Sequence, residues 1–121
     1  RHPVPGVITF PRWRGITLHA GPTQSGGDSL AWIARVIGRD VGAACALADG
    51  MSPADDSPLF LPHLAGERAP LWDLQAKGAF AGLRAGDGPA ELVLAVMEGV
   101  AFSARLALEA LEAAGGCRPA E

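Results

Sequence analysis

Residues 89–115 constrain this chain more than any other stretch. Gly88 precedes Pro89, Glu91 follows near the start, and a long apolar segment then runs to Gly115. Proline at the first helical position, an acid near the positive end and a glycine beyond the far end predict one helix, with Gly88 as its N-cap and Gly115 past its C-terminus. At 3.6 residues per turn it makes about seven turns. Leu92, Val93, Val96, Val100, Phe102, Leu106, Leu108 and Leu111 place apolar groups on nearly every side. Such a helix must be covered on more than one face. Gly99 and Ser103, one turn apart, leave a narrow strip where another backbone can come close.

The segments that do the covering are short. Val7-Ile8-Thr9-Phe10 and Ile16-Thr17-Leu18-His19, separated by Pro11 to Gly15, predict a two-stranded hairpin with a loose turn. Gly21 to Ser29 reads as a Gly-rich loop feeding a helix over Leu30–Ile37, where Leu30, Ile33 and Ile37 keep helical spacing and Gly38 is the stop. A second short helix is expected over Val41–Ala48, followed by a polar, Pro-punctuated connection. Leu59-Phe60-Leu61-Pro62 predicts a buried strand and Ala79–Leu83 the next one.

Composition narrows the function classes. At 121 residues and 49% hydrophobic content, the chain has the length of one domain and enough apolar matter for a core. A formal charge of −3 and a pI near 5.5 argue against nucleic acid and anionic membranes as partners. Arg12-Trp13-Arg14 alone clusters basic charge with an aromatic, and two charges in a turn read as a solvated loop. Cys45 and Cys117 have no metal-ligand spacing; Cys45 reads as a small buried hydrophobe and Cys117 as a tail thiol. His2, His19 and His63 are spread out, and Asp55-Asp56 reads as a solvated loop, so no metal ligands are assigned. With no signal peptide and no apolar run near the twenty residues a span needs, the expected location is the cytoplasm.

The chemistry-bearing stretch lies in the middle. Gly66-Glu67-Arg68-Ala69-Pro70-Leu71-Trp72-Asp73 is followed by Lys77-Gly78-Ala79-Phe80-Ala81-Gly82-Leu83, a seven-residue spacer, and Glu91-Leu92-Val93-Leu94-Ala95-Val96-Met97-Glu98. This succession resembles the second signature of the FGGY carbohydrate kinases, and the likeness extends from about His2 to Gly115. The resemblance implies an α/β fold, part of one lobe of an actin-like, ribonuclease-H-like ATPase domain, into which the order β-β-α-(α)-β-β-α fits. It also implies that residues 1–121 are part of the family's C-terminal domain, incomplete at both ends. The family's chains are several times longer, residue 1 is Arg, and the chain stops soon after Arg118-Pro119, where a final Gly-rich loop would follow.

The implied activity is phosphorylation of a sugar hydroxyl by ATP with Mg²⁺. Glu67-Arg68 points to the branches acting on xylulose, the first choice, and gluconate, the second. The implied partners are the sugar and ATP, with a homodimer as a further option. In the family register, Gly27 matches a glycine lining the adenosine pocket. Ala31 matches a nucleotide-contacting glutamine of glycerol kinases; it has no amide, which leaves backbone and van der Waals contact. Gly26-Gly27 before a helix suits approach of a nucleotide to backbone N–H groups. Glu67 and Arg68 could relay a proton and clamp a phosphate. Neighbouring charges more often organise a loop, so structural ion pairs that fix the loop carrying Pro70 and Trp72 are the favoured reading. No residue here is assigned as the catalytic base, which the family carries upstream. A rival of another class is a non-catalytic half-domain that contributes packing and an interface.

Overall fold

The computed structural model of the chain describes residues 4–116. Its elements run β1 (Ile8–Thr9), β2 (His19–Ala20), α1 (Gly26–Val36), α2 (Val41–Leu47), β3 (Leu59–Leu61), β4 (Ala79–Ala81) and α3 (Pro89–Gly115). Expectations that fall on Arg1, His2, Cys117 and Arg118-Pro119 lie outside the described residues.

Helix α3 begins where the sequence places it. Glu91 reaches back so that its Oε2 accepts the Gly88 N–H at 2.8 Å, which satisfies one of the backbone donors a helix start leaves free. The end comes one residue later than expected: Gly115 is still helical, and Gly116 takes the left-handed conformation (φ 69°) and donates to Glu112 O at 2.8 Å. Only glycine adopts that conformation without a Cβ penalty. Val93, Val96, Gly99, Ser103 and Ala107 form the buried stripe of the helix. Helices α1 and α2 and strands β2 and β3 pack against α3.

The close approach foreseen at Gly99 is made by β3. A Cβ at that position would stand 2.2 Å from the Phe60 carbonyl oxygen, so only glycine fits. Phe60 and Phe80 are directly opposed in the antiparallel β3–β4 pair. Their rings lie 4.7 Å apart, and Trp32 of α1 stacks on Phe60 at 5.7 Å and 13° between planes. These rings join Ile33, Ala34, Ala44, Val93 and Val96 in one core between the helices and the β3–β4 ribbon. Truncating Phe60 to alanine would remove the ring that both others touch. Phe60→Ala is expected to destabilise the fold by about 3–5 kcal/mol, seen as a lowered unfolding midpoint in urea. An unchanged midpoint would mean that Trp32 and Phe80 do not depend on it.

Three local expectations are corrected. The β1–β2 hairpin forms in the register Ile8↔Ala20 and Thr9↔His19, but its turn is tight, not loose. Trp13 and Ile16 exchange backbone hydrogen bonds, each 2.9 Å, across Arg14 and Gly15, both with positive φ. Helix α1 starts at Gly26 instead of Leu30, so Gly26 and Gly27 form its first turn and neither has positive φ. Ser25 stands at the N-cap, Asp28 faces the positive end, and the Ser29 N–H closes onto Ser25 O at 3.1 Å. A glycine costs little in a first turn, where its N–H has no intrahelical partner to lose. Finally, Cys45 is only half-buried, because it sits at the edge where α2 meets Met97 of α3.

Candidate functional site

Two loops meet at the start of α1. One, Gly21–Ser25, leads from β2 into the helix; the other, residues 63–73, follows β3 and contains Glu67 and Arg68. Gly66 makes the second loop possible. Its φ is +80°, and a Cβ there would meet the Leu74 backbone at 2.8 Å. The turn brings Glu67 N–H to Asp73 O at 2.8 Å and aims the Glu67 side chain inward, where the residue is 1% exposed.

Four donors converge on that carboxylate. Oε1 accepts the N–H groups of Gln24 and Arg68, each at 2.8 Å. Oε2 lies 3.1 Å from His63 Nδ1 and accepts the Ser103 hydroxyl of α3 at 3.2 Å. Flanking bonds continue the seam: Ala69 N–H to Pro22 O at 2.9 Å, and Ala65 N–H to Ser25 Oγ at 3.4 Å. A buried carboxylate is tolerated only when hydrogen-bonded in this way.

The ion pair expected between Glu67 and Arg68 does not form. Only the Arg68 backbone touches Glu67; Arg68 is exposed, and among the described residues no carboxylate lies within ion-pair distance of its guanidinium. Two residues in sequence along an extended loop point to opposite sides, so adjacent charges face different environments. The loop-organising role falls to Glu67 alone, with the His63 ring 3.1 Å from its Oε2. His63 and Ser103 went unrecognised as partners: one was weighed only as a metal ligand, the other only as a small residue.

Gly27 and Ala31 stand one turn apart on the exposed face of α1, and Gly26 is half-buried beside Thr23. A Cβ at Gly27 would meet nothing within 4 Å. At Gly27 the face is therefore open.

Charge elsewhere is local. Arg84 bridges Asp56 and Asp87, and its side-chain and backbone hydrogen bonds hold the Asp87 carboxyl below the usual carboxylate range while Asp87 and Asp56 raise the guanidinium. Asp56 is thus engaged by Arg84, and no three His, Cys, Asp or Glu residues gather as a donor set among the described residues. A divalent cation finds no cage here. His19 bonds Thr9 Oγ1 at 2.9 Å within the hairpin. No helix among the described residues is long and apolar enough to cross a membrane.

Residues 20–120 match the C-terminal domain of the FGGY family of carbohydrate kinases. The chain is similar to the xylulose kinase of Escherichia coli, 38% identical over 92 residues, which covers 75% of this chain and 19% of that protein. It is also similar to the gluconokinase of Bacillus subtilis, 35% identical over 95 residues, covering 69% of this chain and 18% of that protein. Glycerol kinases are among the similar proteins as well. The crystal structure of xylulose kinase from Bifidobacterium adolescentis superposes with a TM-score of 0.83 at 26% identity, over 94% of this chain and 22% of that one. The chain spans about a fifth of the length of the curated relatives it matches.

Proposed function

The chain belongs to the FGGY family of carbohydrate kinases, with the α/β fold of an actin-like lobe in part, and from that membership we propose that the full-length protein carrying it transfers the γ-phosphate of ATP to a sugar hydroxyl. Xylulose is the first acceptor to test and gluconate the second, with residues 1–121 forming part of the nucleotide-side lobe in the cytoplasm. ATP supplies the phosphoryl group and enters with Mg²⁺. Phosphoryl transfer asks a protein mainly to position the nucleotide and the acceptor hydroxyl, with little covalent work beyond taking one proton.

The observation that carries the reading is the open strip on α1. Gly27 and Ala31 are the two positions that match nucleotide-lining residues in the family register, and both lie on the same exposed face of α1, where a Cβ at Gly27 would meet nothing within 4 Å. The test is Gly27→Val in the full-length protein. Gly27 is helical, lacks positive φ and has free space at its Cβ within this chain, so the expected effect of valine falls on what approaches that face. The expected result is an apparent KM for ATP raised roughly tenfold or more, with the KM for the sugar little changed, the scale of an overpacked contact. Unchanged ATP dependence, or a defect confined to the sugar, would remove α1 from the nucleotide site. Steady-state rates with D-xylulose, D-gluconate and glycerol as acceptors decide the sugar.

A further inference from the structure

Glu67 has the appearance of a catalytic carboxylate and the bonding of a brace. A carboxylate offers about four acceptor sites. All four are filled: by the amides of Gln24 and Arg68 on Oε1, and by His63 and Ser103 on Oε2. Nothing is left with which to accept a proton from a substrate hydroxyl. What the four bonds do is join three separate pieces of chain: the Gly21–Ser25 loop through Gln24, its own loop through His63 and Arg68, and α3 through Ser103.

The direction of the constraint matters. Gln24 immediately precedes Ser25, the N-cap of α1. The two flanking bonds, from Ala69 to Pro22 and from Ala65 to Ser25, lie on either side of the Glu67–Gln24 contact, so the loop is held at three successive points against the 63–73 segment. Helix α3 is the most extensively packed element, and Ser103 attaches the assembly to it. The geometry points to Glu67 as a positioning residue for nucleotide binding: it sets the place of the first turn of α1, and with it the Gly27–Ala31 face, relative to α3. This inference rests on the reading of that face as nucleotide-facing.

Reach and charge can be separated by two substitutions. Glu67→Gln loses the charge but keeps the length: its carbonyl oxygen can still accept both amides, and its NH₂ can donate to the Ser103 oxygen and to an unprotonated His63 nitrogen. Glu67→Asp keeps the charge but is one methylene shorter, so it cannot span from the two amides to Ser103. A positioning role makes Gln the milder change. A role in proton transfer or metal binding makes Asp the milder one.

The experiment uses the full-length protein with ADP, measured by titration calorimetry, and with ATP and the preferred sugar in steady state. Glu67→Asp is expected to weaken ADP binding and raise the KM for ATP roughly tenfold, the factor one lost charge-assisted hydrogen bond represents, while the sugar KM moves less than about twofold. Glu67→Gln should restore most of the ADP affinity. Amide exchange at Gln24 should accelerate in the Asp variant and stay slow in the Gln variant. The inference is overturned if the Asp variant binds ADP as tightly as the parent, if Gln weakens ADP binding more than Asp does, or if the sugar KM rises in step with that for ATP. Gly27→Val separates the two levels of the argument. Should Gly27→Val impair ATP use while both Glu67 variants leave it intact, only the positioning role fails; should Gly27→Val leave ATP use intact, the nucleotide reading of the face fails and the inference with it.

Discussion

Gly99→Ala is expected to destabilise the protein by about 3 kcal/mol or more, and Gly99→Val to prevent folding, at a position where helix propensity alone argues the opposite way. In a helix interior alanine is favoured over glycine by about 1 kcal/mol. Gly99 is mid-helix in α3, so an unconstrained site would gain from the change. The gain is overridden because a Cβ would stand 2.2 Å from Phe60 O and 3.1 Å from Phe60 C, both backbone atoms. A flexible side chain could swing away; a paired strand cannot. Phe60 is locked by its pairing with Phe80 and by the rings of Trp32 and Phe80, so either β3 or α3 must move as a body. Gly27→Ala is the control, because its Cβ meets nothing. Thermal unfolding of the two variants should give opposite signs: a drop of many degrees for Gly99→Ala, no loss for Gly27→Ala. Equal midpoints would show that α3 and β3 are not in close contact.

The opposite behaviour of these two glycines explains what could be read in advance and what could not. Gly99 with Ser103 announced a close approach because small residues one turn apart on an otherwise bulky helix leave a groove, and α3 itself was signalled by its own ends. Gly26 and Gly27 announced a turn, because glycine is a strong breaker in isolation, yet they became the first turn of α1. There the buried Ser29, Ile33 and Ala34 fix the helix from one side, and a first turn, whose N–H groups have no intrahelical partner to lose, carries little of the penalty glycine has in a helix interior. The short strands were placed by their apolar runs bounded by proline and glycine, and they pair as antiparallel ribbons.

The buried hub shows the limit more sharply. Glu67 stood out in the sequence beside Arg68, and adjacency suggested that the two charges answer each other. Two of the partners are far off in sequence, Gln24 at 43 residues and Ser103 at 36, while His63 is four residues away and Arg68 offers only its backbone N–H. No periodicity joins those positions, and two of the four donors are backbone N–H groups that every residue but proline possesses. A hydrogen-bonded hub built largely on main chain leaves no compositional trace. Gly66 makes it possible: its positive φ turns the chain so that Glu67 faces inward.

The 121-residue chain by itself is expected to self-associate and to catalyse no ATP-dependent phosphorylation of xylulose, gluconate or glycerol. The apolar residues round helix α3 call for cover on more than one face, and in the described structure α1, α2, β2 and β3 leave Phe102, Leu106 and Leu108 exposed. Phe102 and Leu106, one turn apart beside the buried stripe, are 53% and 51% exposed. With Leu59, Leu61 and Leu71, each at least half exposed, they rim an apolar pocket of about 150 Å³ whose floor is Gly99, Ser103 and the Glu67 hub. Contiguous exposed apolar surface of this kind drives association in water. Inactivity is expected for a separate reason: the chain spans about a fifth of the length of its curated relatives, and the buried carboxylate Glu67 is held by four hydrogen-bond partners. Sedimentation should therefore find dimers or larger species, and Phe102→Glu with Leu106→Lys should disperse them, since charges are costly to bury without partners. In the full-length protein the same pair should instead lower stability by several kcal/mol, the cost of placing charge where apolar contact is required. A monodisperse monomer with slow amide exchange along all of α3 would show that the second face needs no cover, and turnover by the pure chain would show that the chemistry is already assembled within it.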